Sequence, residues 1–216
     1  MMLHPKLVRR LLVVAPHPDD ETIGAWQLIR TARRAGARVT IVVASDGSAS
    51  HPGSTRWPAV RLARARRAET QRAMRAIGVT SSSIHFLDFP DGALDTHHAE
   101  LCLALSRLIA RFRPEIIVGP VSDDAHRDHR AVAHALQALP QNGEKRLGYQ
   151  VWPEDERRSG RCLIPLDAMS MAGKRRAIRS YRTQTGHITD AIAGFTLTPR
   201  HLRAFVRPAE RFKELP

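Results

Sequence analysis

The sequence predicts an α/β fold, a single domain over residues 1–216 with a Rossmann-like, mostly parallel sheet and helices on both faces. Three observations predict it. Compact β-branched runs at 7–14 and 38–44 read as strands of a parallel sheet, which are apolar on both faces. Between them, residues 21–36 carry Ile23, Trp26, Ile29, Ala32 and Ala35 at helical spacing and stop at Gly36. The alternation of strand and helix then continues, with no internal repeat, low-complexity tract or dividing linker.

The remaining elements follow in order. Residues 45–58, rich in Gly, Ser, Pro and His, form a loop, and an arginine-laden helix over 59–77 closes at Gly78. A short strand is expected at 83–87, a helix at 96–112, and a second short strand at 115–119. Residues 128–139 read as a helix with Val132, Leu136 and Leu139 inward. Strands at 147–152 and 162–166 flank a polar turn at 153–160, and helices are expected at 168–181 and 199–205.

Composition excludes several classes. A hydrophobic share of 43% and a charged share of 25% over 216 residues suit one soluble domain with a real core. They exclude general disorder, a collagen-like fibre and a disulfide scaffold. No uncharged apolar run approaches the about 20 residues of a membrane span. Lys6, Arg9 and Arg10 precede the apolar residues 11–15, but Pro16 ends that run below the roughly 7–15 residues of an export signal. A cytoplasmic chain is expected, with Cys102 and Cys162 reduced in the interior.

Charge is the unusual quantity. Lys+Arg number 34 against 21 Asp+Glu, a net +13, and lysine occurs only at positions 6, 145, 174 and 213. Such a balance suits nucleic acid, a membrane surface or an anionic substrate. The preferred explanation is plainer: arginine in place of lysine across a solvated surface. A basic nucleic-acid-binding module is the rival class, and the aromatic share of 5% counts against the stacking platforms such modules use.

In an open α/β sheet, ligands bind beyond the carboxyl ends of the strands, where strand order reverses. The first loop on that edge is Ala15-Pro16-His17-Pro18-Asp19-Asp20-Glu21. It crowds a histidine and adjacent carboxylates into one turn braced by two prolines, and neighbouring Asp side chains repel unless a cation or proton intervenes. Pro-Asp-Asp also occurs in ordinary surface turns. The second cluster, Asp123-Asp124-Ala125-His126-Arg127-Asp128-His129, follows the strand at 115–119 on the same edge. Asp128 suits the N-cap of the next helix. His126 and His129 can converge on one point, although a lone His-x-x-His pair also caps helices and lines surfaces. Imidazole plus carboxylate with an open position suits a catalytic zinc, which takes three protein ligands and a water.

With these motifs the chain resembles the PIG-L/LmbE-like family of zinc-dependent N-acetylglucosaminyl deacetylases. Residues 15–21 are similar to its Ala-His-Pro-Asp-Asp-Glu-like stretch, and His126-Arg127-Asp128-His129 to its His-x-Asp-His. Ser45-Asp46-Gly47 resembles its Thr-Asp-Gly turn. Arg66-Arg67-Ala68-Glu69 with Ile77-Gly78-Val79 resembles its Arg-x-x-Glu helix, and Lys174 with Tyr181-Arg182-Thr183-Gln184 its late Tyr-x-Ser-Gln segment.

The resemblance implies one Zn2+ per chain on His17, Asp20 and His129, with Asp19 as general base. It implies that His126 stabilises the oxyanion or protonates the leaving amine, and that Asp128 orients the histidine pair. The expected activity is removal of acetyl from an N-acetylated sugar or its conjugate, including anionic ones; the alternative is a zinc amidase acting on another amide-linked sugar conjugate. Two positions depart from the pattern. Asp124 stands where some members carry a tyrosine, and Thr183 where serine is usual. Asp46 is read either as a substrate or supporting carboxylate or as a turn aspartate, and Arg66 as a sugar or phosphate contact or as solvated surface. His51, His85, His97, His98, His134 and His187 are read as structural or exposed.

Overall fold

A computed structural model describes residues 7–152 and 160–215. Among the described residues the strands are β1 (Arg10–Ala15), β2 (Arg38–Ser45), β3 (Ile84–Phe89), β4 (Ile116–Pro120), β5 (Lys145–Tyr149), β6 (Cys162–Pro165) and β7 (Ala209–Glu214). They form one sheet in the order β3-β2-β1-β4-β5-β7-β6. The strands from β3 to β5 pair in parallel, and β7 runs antiparallel to both β5 and β6. The helices are α1 (Asp20–Arg34), α2 (Ala59–Arg75), α3 (His98–Phe112), α4 (Arg127–Ala138), α5 (Ala168–Arg179) and α6 (Pro199–Phe205). None is long and apolar enough to cross a membrane.

The period-two alternation of β1 feeds two cores. Leu11 and Val13 pack with Ile23, Leu28 and Ile29 of α1 and Met74 of α2. Leu12 and Val14 face the other way, into the cluster that holds Leu101 and Leu105 of α3 and Val132 and Leu136 of α4. Each of these side chains is at most 2% exposed, so truncating one to Ala costs about 2–5 kcal/mol.

The chain runs outward from β1 to β2 and β3 on one side, and from β4 to β5 on the other. The strand order therefore reverses between β1 and β4, which opens a crevice beyond their carboxyl ends. The loops leaving β1 and β4 are the two motif-bearing segments.

α1 consists of two helical pieces joined at Ala25 (φ −140°, ψ 16°). The second piece is capped from β7: the N–H groups of Gln27 and Leu28 donate to the Glu210 carboxylate at 2.8 and 3.0 Å. Lys174 of α5 donates to the same carboxylate at 2.7 Å. On the first piece, a Cβ at Gly24 would lie 2.4 Å from Tyr149 Cδ2. The Tyr149 hydroxyl donates to Val14 O at 2.9 Å, so the end of β5 reaches past β4 to the end of β1 at the site.

Several expectations are corrected. β1 starts at Arg10, leaving Leu7 79% exposed. β5 ends at Tyr149, because the N–H groups of Val151 and Trp152 turn away to the Asp124 carboxylate. β7 was not expected at all: its charged residues hide an inward pair, Glu210 and Phe212. Asp128 is not the N-cap of α4; His126 is, its ring nitrogen accepting from Asp128 N. Cys162 is buried and Cys102 half-buried, and neither forms a disulfide among the described residues. Lys6 and residues 153–159 of the expected polar turn lie outside the described residues.

Candidate metal centre

The loop after β1 is held by its own backbone. Asp20 N donates to His17 O at 3.2 Å, while Thr22 N and Ile23 N donate to Asp19 O at 3.0 and 2.9 Å. Asp19 takes φ 139°, ψ −25°, a region costly for a non-glycine residue. Its N–H donates to Glu21 Oε2 at 3.1 Å, and Glu21 is tied in turn to the buried Tyr181 hydroxyl. Arg66 of α2 closes the turn from outside, donating to Pro18 O at 2.9 Å and Gly47 O at 3.0 Å and pairing with Asp19 Oδ1 at 3.2 Å. Gly47 (φ 68°) makes this approach possible, since a Cβ there would lie 2.7 Å from Arg66 Nη1.

Around this turn His17, Asp20 and His129 converge. Asp20 Oδ2 lies 3.1 Å from His17 Nδ1 and 3.1 Å from His129 Nε2. Donor atoms around a tetrahedral zinc at about 2.0–2.1 Å stand about 3.3 Å apart, close to these separations. His129 is fully buried, and neither ring nitrogen has a partner with hydrogen-bond geometry. Buried imidazole nitrogens in that condition fit a metal ligand. His126 adds a third imidazole, its ring 4.7 Å from that of His17 and 5.0 Å from that of His129. His17, His126 and His129 each offer an atom within 4.8 Å of the others, as do His17, Asp91 and Asp128.

The electrostatics follow from burial against charge. Burial alone would lower the His129 imidazole, but the Asp20 charge and the Asp124 carboxylate push it up to about 9. Burial likewise opposes protonation of His17, and Asp128, Asp20 and Asp91 overcome it. Asp20 goes the other way: burial would raise it, yet the two imidazoles hold it well below the usual carboxylate range. Asp19 is raised by burial, pulled back by Arg66 and raised again by Asp20 and Glu21, ending at about 8. Adjacent carboxyls thus differ sharply in proton affinity.

His126 Nδ1 accepts from Asp128 N at 3.2 Å, so its neutral form carries the proton on Nε2. Asp128 does not orient the His126–His129 pair through its carboxylate. That group accepts from Gly92 N and Leu94 N at 2.8 and 3.2 Å and meets His17 Nε2 at 3.1 Å. Asp91 meets the same nitrogen at 3.2 Å. These groups open into a cavity of about 470 Å³, lined also by Arg66, Trp152, Gln184 and Phe195, a size ordinary for small-ligand sites.

Asp46 takes the turn reading of its two alternatives, and Arg66 neither of its own. Asp46 lies off the cavity, its carboxylate accepting from Ser48 N at 2.9 Å in a local turn. Arg66 is 3% exposed, neither solvated surface nor a free guanidinium awaiting an anion. Asp91, Asp124 and Trp152 were not expected as site residues. Asp91 follows β3 in a Pro-Asp-Gly turn that reads as punctuation unless the position of its strand edge is known.

The family model described as PIG-L, GlcNAc-PI de-N-acetylase, matches residues 12–139. The chain is 32% identical over 128 residues to a diacetylchitobiose deacetylase of Thermococcus kodakarensis, a match covering 57% of this chain and 46% of that protein. It is 27% identical over 175 residues to a 1D-myo-inositol 2-acetamido-2-deoxy-alpha-D-glucopyranoside deacetylase of Kineococcus radiotolerans, covering 65% of this chain and 48% of that protein. The chain spans about half the length of these curated relatives. Among solved structures, N,N'-diacetylchitobiose deacetylase from Pyrococcus horikoshii superposes with a TM-score of 0.78 at 21% identity, covering 98% of this chain and 85% of that one.

Proposed function

The chain belongs to the PIG-L family, GlcNAc-PI de-N-acetylase, and on that premise we propose that it is a metal-dependent hydrolase removing acetyl from an N-acetylated amino sugar or its conjugate. The observation that carries this reading is the convergence of His17, Asp20 and the buried His129 beside Asp19, with His17, Asp19 and Asp20 lining one cavity. Zinc, one ion per chain, is the metal proposed, with residues 1–216 acting as a single catalytic domain in the cytoplasm.

His17, Asp20 and His129 would hold the ion. Bound there, zinc supplies a water of lowered pKa and polarises the acetamide carbonyl. Asp19 is the general base: it lines the cavity, burial raises its proton affinity against the pull of Arg66, and Arg66 fixes its carboxylate. His126 is the acid or oxyanion donor, because its Nδ1 is occupied by Asp128 N and its Nε2–H remains for substrate. Asp128 supports this arrangement by holding His17 Nε2 and, through its N–H, the His126 ring. Trp152 and Phe195 offer apolar faces for a sugar ring.

The test is acetate release from a panel of N-acetylated sugars and sugar conjugates, with and without a chelator. Chelator-sensitive release from at least one N-acetylhexosamine is expected. Cleavage confined to another amide would replace this reading with that of a metal amidase, and no cleavage of any would overturn it.

A further inference from the structure

We infer that Asp124 is a positioning residue that locks His129 and the Trp152 wall of the cavity into one arrangement. This rests on the reading of His129 as a metal ligand. Asp124 is 1% exposed. Its Oδ1 accepts from His126 N at 3.0 Å and faces His129 Nδ1 at 3.4 Å. Its Oδ2 accepts from Val151 N at 2.9 Å and Trp152 N at 3.0 Å. The main chain closes the same link, Ala125 N donating to Trp152 O at 2.8 Å.

An ionised carboxylate offers acceptors only, and every group facing Asp124 here is an N–H donor or an imidazole nitrogen. Its charge therefore favours the proton of His129 on Nδ1 and leaves the Nε2 lone pair on the side of Asp20. A carboxylate behind a ligating imidazole fixes tautomer and ring orientation in this way. The same carboxylate draws the chain out of β5 and sets Trp152 against Phe195, ring centroids 5.8 Å apart, where both line the cavity. Metal ligand and substrate wall thus share one buried anchor.

Asp124→Asn keeps the size but places an amide NH2 among donors. In the full chain, titrated with zinc against a chromogenic chelator, its affinity is expected to fall about 10–100-fold. Glu144→Gln is the control, since Glu144 is a buried carboxylate paired with Arg146 and lies outside the cavity lining. It should bind zinc as the parent does. Parental affinity in Asp124→Asn, or an equal loss in Glu144→Gln, overturns the inference. Should Asp124→Asn fail to fold, long-range proton–nitrogen NMR of the zinc-loaded parent reads the His129 tautomer directly. Nδ1–H is expected, and Nε2–H overturns the inference. Neither readout uses deacetylation, so failure of the proposed activity is told apart from failure of this role.

Discussion

Arg66 Nη2 stands 3.2 Å from Asp19 Oδ1 in a buried pair, the side chains 3% and 7% exposed. The guanidinium binds one carbonyl from the loop after β1 and one from the loop after β2, and holds a carboxylate whose backbone is strained. Arg66→Ala should therefore leave the metal bound and lower kcat by about 10²-fold through misplacement of Asp19. Steady-state kinetics with metal analysis checks this; loss of metal in the variant would contradict it.

Replacing His17, Asp20 or His129 by Ala should each reduce zinc content far more than His134→Ala, which alters an exposed position of α4. Removing the metal should also lower Tm. At free zinc a thousandfold above Kd, binding contributes about 4 kcal/mol to stability, and calorimetry with and without chelator measures the difference. Equal zinc content in all four variants would refute the ligand set.

Asp19→Asn preserves shape and removes basicity. Zinc content should stay at the parental value while turnover falls about 10²–10⁴-fold. Loss of zinc with activity would move Asp19 into the ligand set, and full activity would end its role as base.

The salt response should be flat for an uncharged sugar. Arg61, Arg64, Arg72 and Arg75 are exposed on α2, while Arg66, the arginine that lines the cavity, is already engaged. Raising salt from about 0.1 to about 1 M shortens the screening length from about 10 Å to about 3 Å. Constant kcat/KM is expected across that range. A steep fall would point to an anionic substrate steered by the exposed arginines.

Gly24→Ala should lower Tm without touching any chemical group, because its Cβ would meet the Tyr149 ring at 2.4 Å. Overpacking of this kind costs about 1–3 kcal/mol, read in a denaturant titration. Unchanged stability would mean that Tyr149 can move while keeping its bond to Val14.

The parallel half of the sheet was legible because its strands are compact β-branched runs and its first two helices stop at Gly36 and Gly78. Both motif loops were legible for the same reason: strand ends locate the binding edge before any side chain is placed. The second tier was not. Asp91 reaches the centre only through the pairing of β3 into the sheet, and Asp124, though inside the second motif loop, gave no sign in the sequence of its reach to Val151 and Trp152. Asp128 looked like a cap because residue type suggests one, whereas the cap is His126 and the Asp128 carboxylate spans to His17. Arg66 read equally as a sugar or phosphate contact and as solvated surface; its burial follows from facing Gly47 and Pro18, a packing fact rather than a compositional one.

The cap that Glu210 places on α1 links residues 183 positions apart. A ribosome adding about 5–20 residues per second needs roughly 10–40 s to cover that distance. Through that interval the nascent first helix lacks its acceptors, and over the last part of it, once they are made, β5 and β6 lack the strand that later joins them. Unpaired strand edges invite pairing with other chains. Those edges close only when residues 209–214 dock between β5 and β6.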